Sequence, residues 1–185
     1  TFDRATKLVL SAAKLALNDA AIKYPLDEDM SLRTGVALGS TLGSVWSISE
    51  FDKEGLREGP RAVNPALFPN TVINAPASQI SIRFNIKGFN TTISTGFAAS
   101  LDAIDYAVNF IRLYDYDIVL AGGVEELCLQ TFLGFHKIGH LAGSREVKQE
   151  INCPFDKRRN GIVIGEGACI LVLEELGHAK KRGAL

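Results

Sequence analysis

Ile93-Ser-Thr-Gly-Phe-Ala-Ala-Ser-Leu-Asp-Ala-Ile104 reads as a strand, a tight turn and a helix in quick succession. The β-branched run Asn90 to Thr95 suits a strand, and Gly96 permits a sharp turn. Leu101, Ile104, Val108 and Ile111 then recur at helical spacing, opposite Asp102, Asp105, Asn109 and Arg112. An elbow of this kind presents one side chain at a helix N-terminus, where backbone N–H groups and the helix dipole favour negative charge. A cysteine there would become a reactive thiolate, with the same amides available to an oxyanion. Phe97 stands at that place. A phenyl ring can neither attack a thioester nor accept a proton.

Working outward, strand and helix alternate. Asp3 can cap a helix running to Ile22, with Leu8, Ala12, Leu15, Asp19 and Ile22 at the 3.6-residue period and Pro25 as its stop. Arg33 to Ser40 suits a buried parallel strand, and a helix is expected from about Ser44 to Gly55. Pro60, Pro65 and Pro69 mark residues 59–69 as irregular. Asn70 to Phe84 returns to helical spacing, with a kink expected at Pro76. Asp117 to Gly123 and Gly167 to Glu174 read as strands, 127–140 as a mixed helical segment, and His178 to Arg182 as the start of another helix. The class is α/β with a mainly parallel sheet flanked by helices, in one compact unit.

With 185 residues, 46% hydrophobic and 22% charged, the chain can build a core. Twenty basic against 21 acidic residues leave no charge excess to drive binding to nucleic acid or an anionic membrane. No apolar run reaches the roughly 18 residues of a membrane span. Three widely spaced cysteines make no disulfide framework, so a reducing, cytoplasmic setting is expected. The start at Thr1 suggests a piece of something longer.

Generic motifs fail. Gly39-Ser-Thr-Leu-Gly-Ser44 lacks the Gly-Lys-Ser/Thr ending of a phosphate loop, and Gly161, Gly165 and Gly167 do not match a dinucleotide fingerprint. No cofactor is expected. His136 and His140 are four apart, but no glutamate accompanies them and Gly139 weakens the helix, so no metal site is expected. Cys169 falls in an apolar strand and reads as inert core; Cys128, just past a strand end, stands where sheet-end chemistry tends to occur.

Four stretches together resemble the β-ketoacyl-acyl-carrier-protein synthases, condensing enzymes of fatty-acid and polyketide synthesis. They are Gln79-Ile-Ser-Ile-Arg83 with Gly88-Phe-Asn-Thr-Thr-Ile-Ser-Thr95; Leu120-Ala-Gly-Gly-Val-Glu125; Pro154-Phe-Asp-Lys-Arg-Arg-Asn-Gly161 with Val163-Ile-Gly-Glu-Gly-Ala168; and Leu171-Val-Leu-Glu-Glu-Leu-Gly-His-Ala-Lys-Lys-Arg-Gly-Ala184. The resemblance implies the thiolase-like fold, a five-layered αβαβα architecture of two similar halves. Residues 1–185 correspond to its N-terminal half, without the first strand and without the C-terminal half that brings the family's histidines and lysine.

By the same resemblance, Phe97 takes the nucleophile's place, after Thr95-Gly96 where the family commonly reads Thr-Ala. No catalytic residue is therefore expected in this chain. Phe97, Ala98 and Phe135 are expected to line an acyl pocket, with Phe97 filling space that an acyl chain would enter. Asn90, Thr91, Thr92, Ile93 and Ser94 resemble the strand that pairs across the family's dimer axis, which implies a homodimer or a heterodimer with an active condensing subunit. Acyl carrier protein is the other implied partner. Three readings follow: a non-condensing subunit similar to a chain-length factor, a synthase with a divergent or blocked nucleophile, and a scaffold that kept only the fold. The first ranks highest, because Thr-Gly-Phe changes two adjacent positions. A half-fold should also expose the apolar face on which its second half would pack.

Overall fold

The computed structural model describes residues 2–144 and 149–184. Its sheet has the order β2-β1-β3-β4. β1 (Thr34–Gly39) pairs in parallel with β2 (Asn90–Ile93) and with β3 (Ile118–Glu125), while β4 (Gly167–Glu174) runs antiparallel to β3. β1 is central and its residues are buried throughout, which is why its sequence is uniformly small or apolar rather than alternating.

Helix α1 (Arg4–Asp19) and helix α4 (Ala75–Phe84) cover one face of the sheet. Asp3 caps α1 as expected, its carboxylate accepting from the Thr6 N–H at 2.6 Å. The buried stripe of α1 is Ala5, Val9, Ala13 and Leu17, not the one through Leu8 and Leu15. Leu15 faces solvent, because the smaller residues on the neighbouring stripe allow closer approach to the sheet. Pro76 does not kink a long helix; it lies in the first turn of α4, where its missing N–H costs nothing. The short α2 (Glu28–Leu32) precedes β1, α3 (Val45–Glu58) follows it, and the Pro65–Thr71 stretch of the irregular region is a 3₁₀ helix.

Helix α5 (Ala99–Tyr114) covers the opposite face. Its buried positions are Ala99, Ala103 and Ala107, and the last two pack with Ala37, Val119 and Ala121. The larger Ile104 and Ile111 flank this seam, and Leu101 points outward. Alanines, rather than the larger Leu101, Ile104, Val108 and Ile111, make the innermost contact with the strands, because the helix lies close to them. A Cβ at Gly39 would lie 2.4 Å from the Ala99–Ser100 backbone, so the first turn of α5 rests directly on the end of β1.

Beyond α5 come α6 (Leu129–Lys137) and, after β4, the short α7 (Leu176–Arg182). Large apolar side chains remain uncovered on α5 and α6, among them Leu101, Leu113, Leu129 and Leu133, and Phe155 is 99% exposed. No helix among the described residues is long and apolar enough to cross a membrane.

Candidate functional site

The C-terminal ends of β1 and β3 converge on the elbow between β2 and α5. Gly96 has φ +82°, the left-handed conformation that glycine adopts at least cost, and residues 96–98 form a 3₁₀ turn before α5 begins. Side chains pin this turn on both sides. The Thr41 hydroxyl donates to the Gly96 carbonyl at 2.9 Å, and the Ser94 hydroxyl donates to the Thr41 carbonyl at 3.1 Å. The Thr95 hydroxyl donates to the Asp102 carboxylate in the first turn of α5.

Phe97 heads the turn, and its residue surface is 80% exposed. Among the described residues, little covers that side of the elbow. The ring lies 6.0 Å from that of half-buried Phe135, tilted by 37°. Ala98 is exposed and Ala99 is buried against the sheet. Phe97 borders two cavities. One is a cleft of about 410 Å³ between the strand ends, lined by Ser40, Thr41, Ser100, Glu125 and Cys169 among others. The other is a hollow of about 770 Å³ bounded by His140, Arg159, Asn160 and the Gly161–Ile164 segment.

Of two consecutive carboxylates at the end of β3, Glu125 lines the cleft. Glu125 accepts from the Thr41 N–H and, at 3.4 Å, from the Ser40 hydroxyl. Glu126 turns the other way and is only 4% exposed. It accepts from the Trp46 N–H at 3.1 Å and from the Ala5 N–H, at the starts of α3 and α1. Burial holds its carboxyl above the ordinary glutamate range despite those amide bonds. Nearby, Glu166 accepts a two-pronged bond from Arg4, which holds its carboxyl below that range.

Cys169 does not lie in the core as its apolar strand suggested. Cys169 is exposed and lines the cleft, because β4 turns that face of the strand toward the uncovered side of the sheet. Cys128 is buried, with its sulfur 3.2 Å from the Thr131 hydroxyl. His136 stacks on Phe132, while His140 falls beyond the end of α6, so the two do not share a helix face. No three His, Cys, Asp or Glu residues among those described converge as a metal site requires. Of the strand residues Asn90 to Ser94, the first four form β2, which pairs with β1 on one edge and, among the described residues, with nothing on the other. Glu126 was missed and Cys169 misread in sequence: no local pattern distinguishes a buried glutamate from a surface one, or a solvent-facing strand cysteine from a core one.

The family model described as "Beta-ketoacyl synthase, N-terminal domain" matches residues 1–179. A 3-oxoacyl-[acyl-carrier-protein] synthase 2 of Rhizobium meliloti is 38% identical over 177 residues, covering 95% of this chain and 42% of the relative. The mitochondrial 3-oxoacyl-[acyl-carrier-protein] synthase of Arabidopsis thaliana is 34% identical over 175 residues, covering 94% and 38%. Among solved structures, the ishigamide ketosynthase/chain length factor superposes with a TM-score of 0.86 at 32% identity, covering all of this chain and 44% of that one. A type II polyketide-synthase ketosynthase in complex with its acyl carrier protein gives 0.88 at 31% identity, covering 98% and 46%. The chain therefore spans less than half the length of these relatives. It belongs to the β-ketoacyl synthase family, over the N-terminal domain, and has the thiolase-like fold.

Proposed function

We propose that this chain is part of a non-condensing subunit of fatty-acid or polyketide synthesis, one that shapes an acyl pocket while a partner forms the carbon–carbon bond. The observation that carries the reading is Phe97 at the head of α5: the elbow is intact and pinned, yet its leading side chain has no nucleophilic atom. An oxyanion hole without a nucleophile can receive a carbonyl but cannot acylate the protein at that position. Phe97, Ala98 and Phe135 form the aromatic end of the pocket in this reading, with Phe97 limiting its depth. Similarity to a ketosynthase/chain length factor pair and to a ketosynthase complexed with its carrier protein supports the assignment of class and partners.

The partners are an acyl carrier protein and a second subunit that docks along Asn90–Ser94. The free edge of β2 favours this, since unpaired strand edges are ordinarily covered or blunted. The test is reconstitution with an active condensing subunit and a loaded carrier protein. Phe97→Ala should lengthen the released products without abolishing turnover. An unchanged product distribution would sink the pocket-shaping role.

A second reading has one observation behind it. Cys169 is an accessible thiol on the same cleft, so a synthase with a displaced nucleophile would use Cys169 rather than buried Cys128. Acyl transfer to Cys169 would then replace the non-condensing account.

A further inference from the structure

Thr41, in the loop after β1, joins three parts of the elbow's surroundings through its three polar groups. Its N–H donates to the Glu125 carboxylate at the end of β3. Its carbonyl accepts from the Ser94 hydroxyl just past β2, at 3.1 Å. Its hydroxyl donates to the Gly96 carbonyl at 2.9 Å. That carbonyl also accepts from the Ala99 N–H, the bond that closes the 3₁₀ turn.

The turn needs such a hold. Gly96 lies at φ +82°, and a Cβ there would meet nothing within 4 Å, so glycine serves the backbone conformation rather than the space. Glycine also tolerates either orientation of the peptide that follows it. A trans peptide is planar with its N–H opposite its C=O, so the bonds onto the Gly96 carbonyl turn the Phe97 N–H away from Thr41. Bonds of the i→i+3 kind begin at the third residue of a 3₁₀ turn, so the Phe97 N–H has no partner inside it. A flip of this peptide would set a carbonyl oxygen where the N–H stands.

We infer that Thr41 is a positioning residue: by holding the Gly96 carbonyl, its hydroxyl keeps the Phe97 N–H turned away from Thr41 and free for an anion at the head of α5. Ser94 and Glu125 fix Thr41 in turn, so the ends of β1, β2 and β3 all bear on the orientation of one peptide. Thr41 touches no reacting atom and acts only through Gly96. This role refines the reading of the elbow as a receptor for a carbonyl and rests on it for its use. Its test needs neither a carrier protein nor a partner subunit, so the two can fail separately.

A thiol placed at the elbow reports this directly. In Phe97→Cys, alkylation by iodoacetamide is followed against pH on the tryptic peptide 88–112, which contains no native cysteine. The midpoint should fall below the ordinary thiol value of about 8.5. Adding Thr41→Val, which exchanges the hydroxyl for a methyl, should raise that midpoint and slow alkylation at pH 7 about two- to tenfold, the range of one net hydrogen bond. Adding Thr41→Ser instead, which keeps a hydroxyl, should leave the midpoint low. Glu125, Asp102, His140 and Arg159, the charged and titratable groups bordering the elbow, are common to all these proteins, so a difference among them belongs to residue 41. A Thr41 that serves folding alone would lower the melting temperature without moving the midpoint. Equal midpoints with and without Thr41→Val, or an ordinary midpoint in Phe97→Cys itself, overturn the positioning role. Should Thr41→Val not fold, Thr41→Ala removes the same hydroxyl with less bulk and carries the same expectation.

Discussion

Gly39→Ala tests the geometry that puts the elbow in place. A Cβ at residue 39 would sit 2.4 Å from the carbonyl carbon of Ala99 and the nitrogen of Ser100, about 1 Å inside ordinary van der Waals contact. Both obstacles are backbone atoms in the first turn of α5, so no side chain can swing aside. Relief requires the head of α5 to lift from β1, which loosens the Ala37–Ala103–Ala107–Val119–Ala121 seam behind it. Overpacking of this kind costs about 1–3 kcal/mol, and the rigidity of the obstacle places Gly39→Ala at the upper end, about 3 kcal/mol. For a chain of this size that lowers the melting temperature by roughly 6–12 °C. Gly134→Ala is the matched control. Gly134 lies within α6, its Cβ would meet nothing within 4 Å, and the change should stabilise by about 0.5–1 kcal/mol. Urea denaturation of both variants, followed by circular dichroism, reads the difference. A Gly39→Ala variant within 0.5 kcal/mol of the parent would refute the close approach of α5 to β1.

Other outcomes follow from the same structure. Arg182→Ala removes the paired bonds to Glu174 at 2.6 and 2.7 Å and the bond to the Ala20 carbonyl at the end of α1, and should cost about 2 kcal/mol by chemical denaturation. Burial opposes the Glu174 charge, but Arg182 and His178 outweigh it and hold the carboxyl below its ordinary range. That contribution is complete above the unfolded-state pKa and disappears as pH falls through the folded-state value, so the Arg182→Ala penalty should shrink in acid. Glu126 has the opposite sign: its raised carboxyl costs stability once pH exceeds the unfolded value, so Glu126→Gln should gain on the parent as pH rises from 4 to 8, measured by thermal melts. Iodoacetamide should label Cys169 in the native chain and Cys128 only on unfolding, read by peptide mass mapping; early labelling of Cys128 would contradict its burial. With Leu101, Leu113, Leu129 and Phe155 uncovered, the chain should self-associate in size-exclusion chromatography. A sharp monomer peak would contradict that.

Much of the fold was legible because the signals are local. The buried strand at Thr34–Gly39, the cap at Asp3 and the turn at Gly96 each follow from a few neighbouring residues. The faces of α1 and α5 were misread for one shared reason. Hydropathy weights leucine above alanine, whereas close packing on a sheet selects alanine. Pro76 was placed inside a helix because the apolar spacing runs through it; the structure starts the helix there. At the site, Phe97 was identifiable from the elbow pattern, but its exposure was not, since exposure depends on what lies across the uncovered face. Glu126 and Cys169 acquire their meaning from contacts some 80 residues away in sequence or from the side of the sheet they occupy, and neither leaves a local trace.

The central claim is that the elbow survives without its nucleophile, and intact-mass spectrometry tests it most directly. The protein is incubated with an acyl thioester of its carrier protein, alongside Phe97→Cys. The account predicts no adduct on the parent and one acyl group on the variant, carried by residue 97. An acyl adduct on the parent would contradict it.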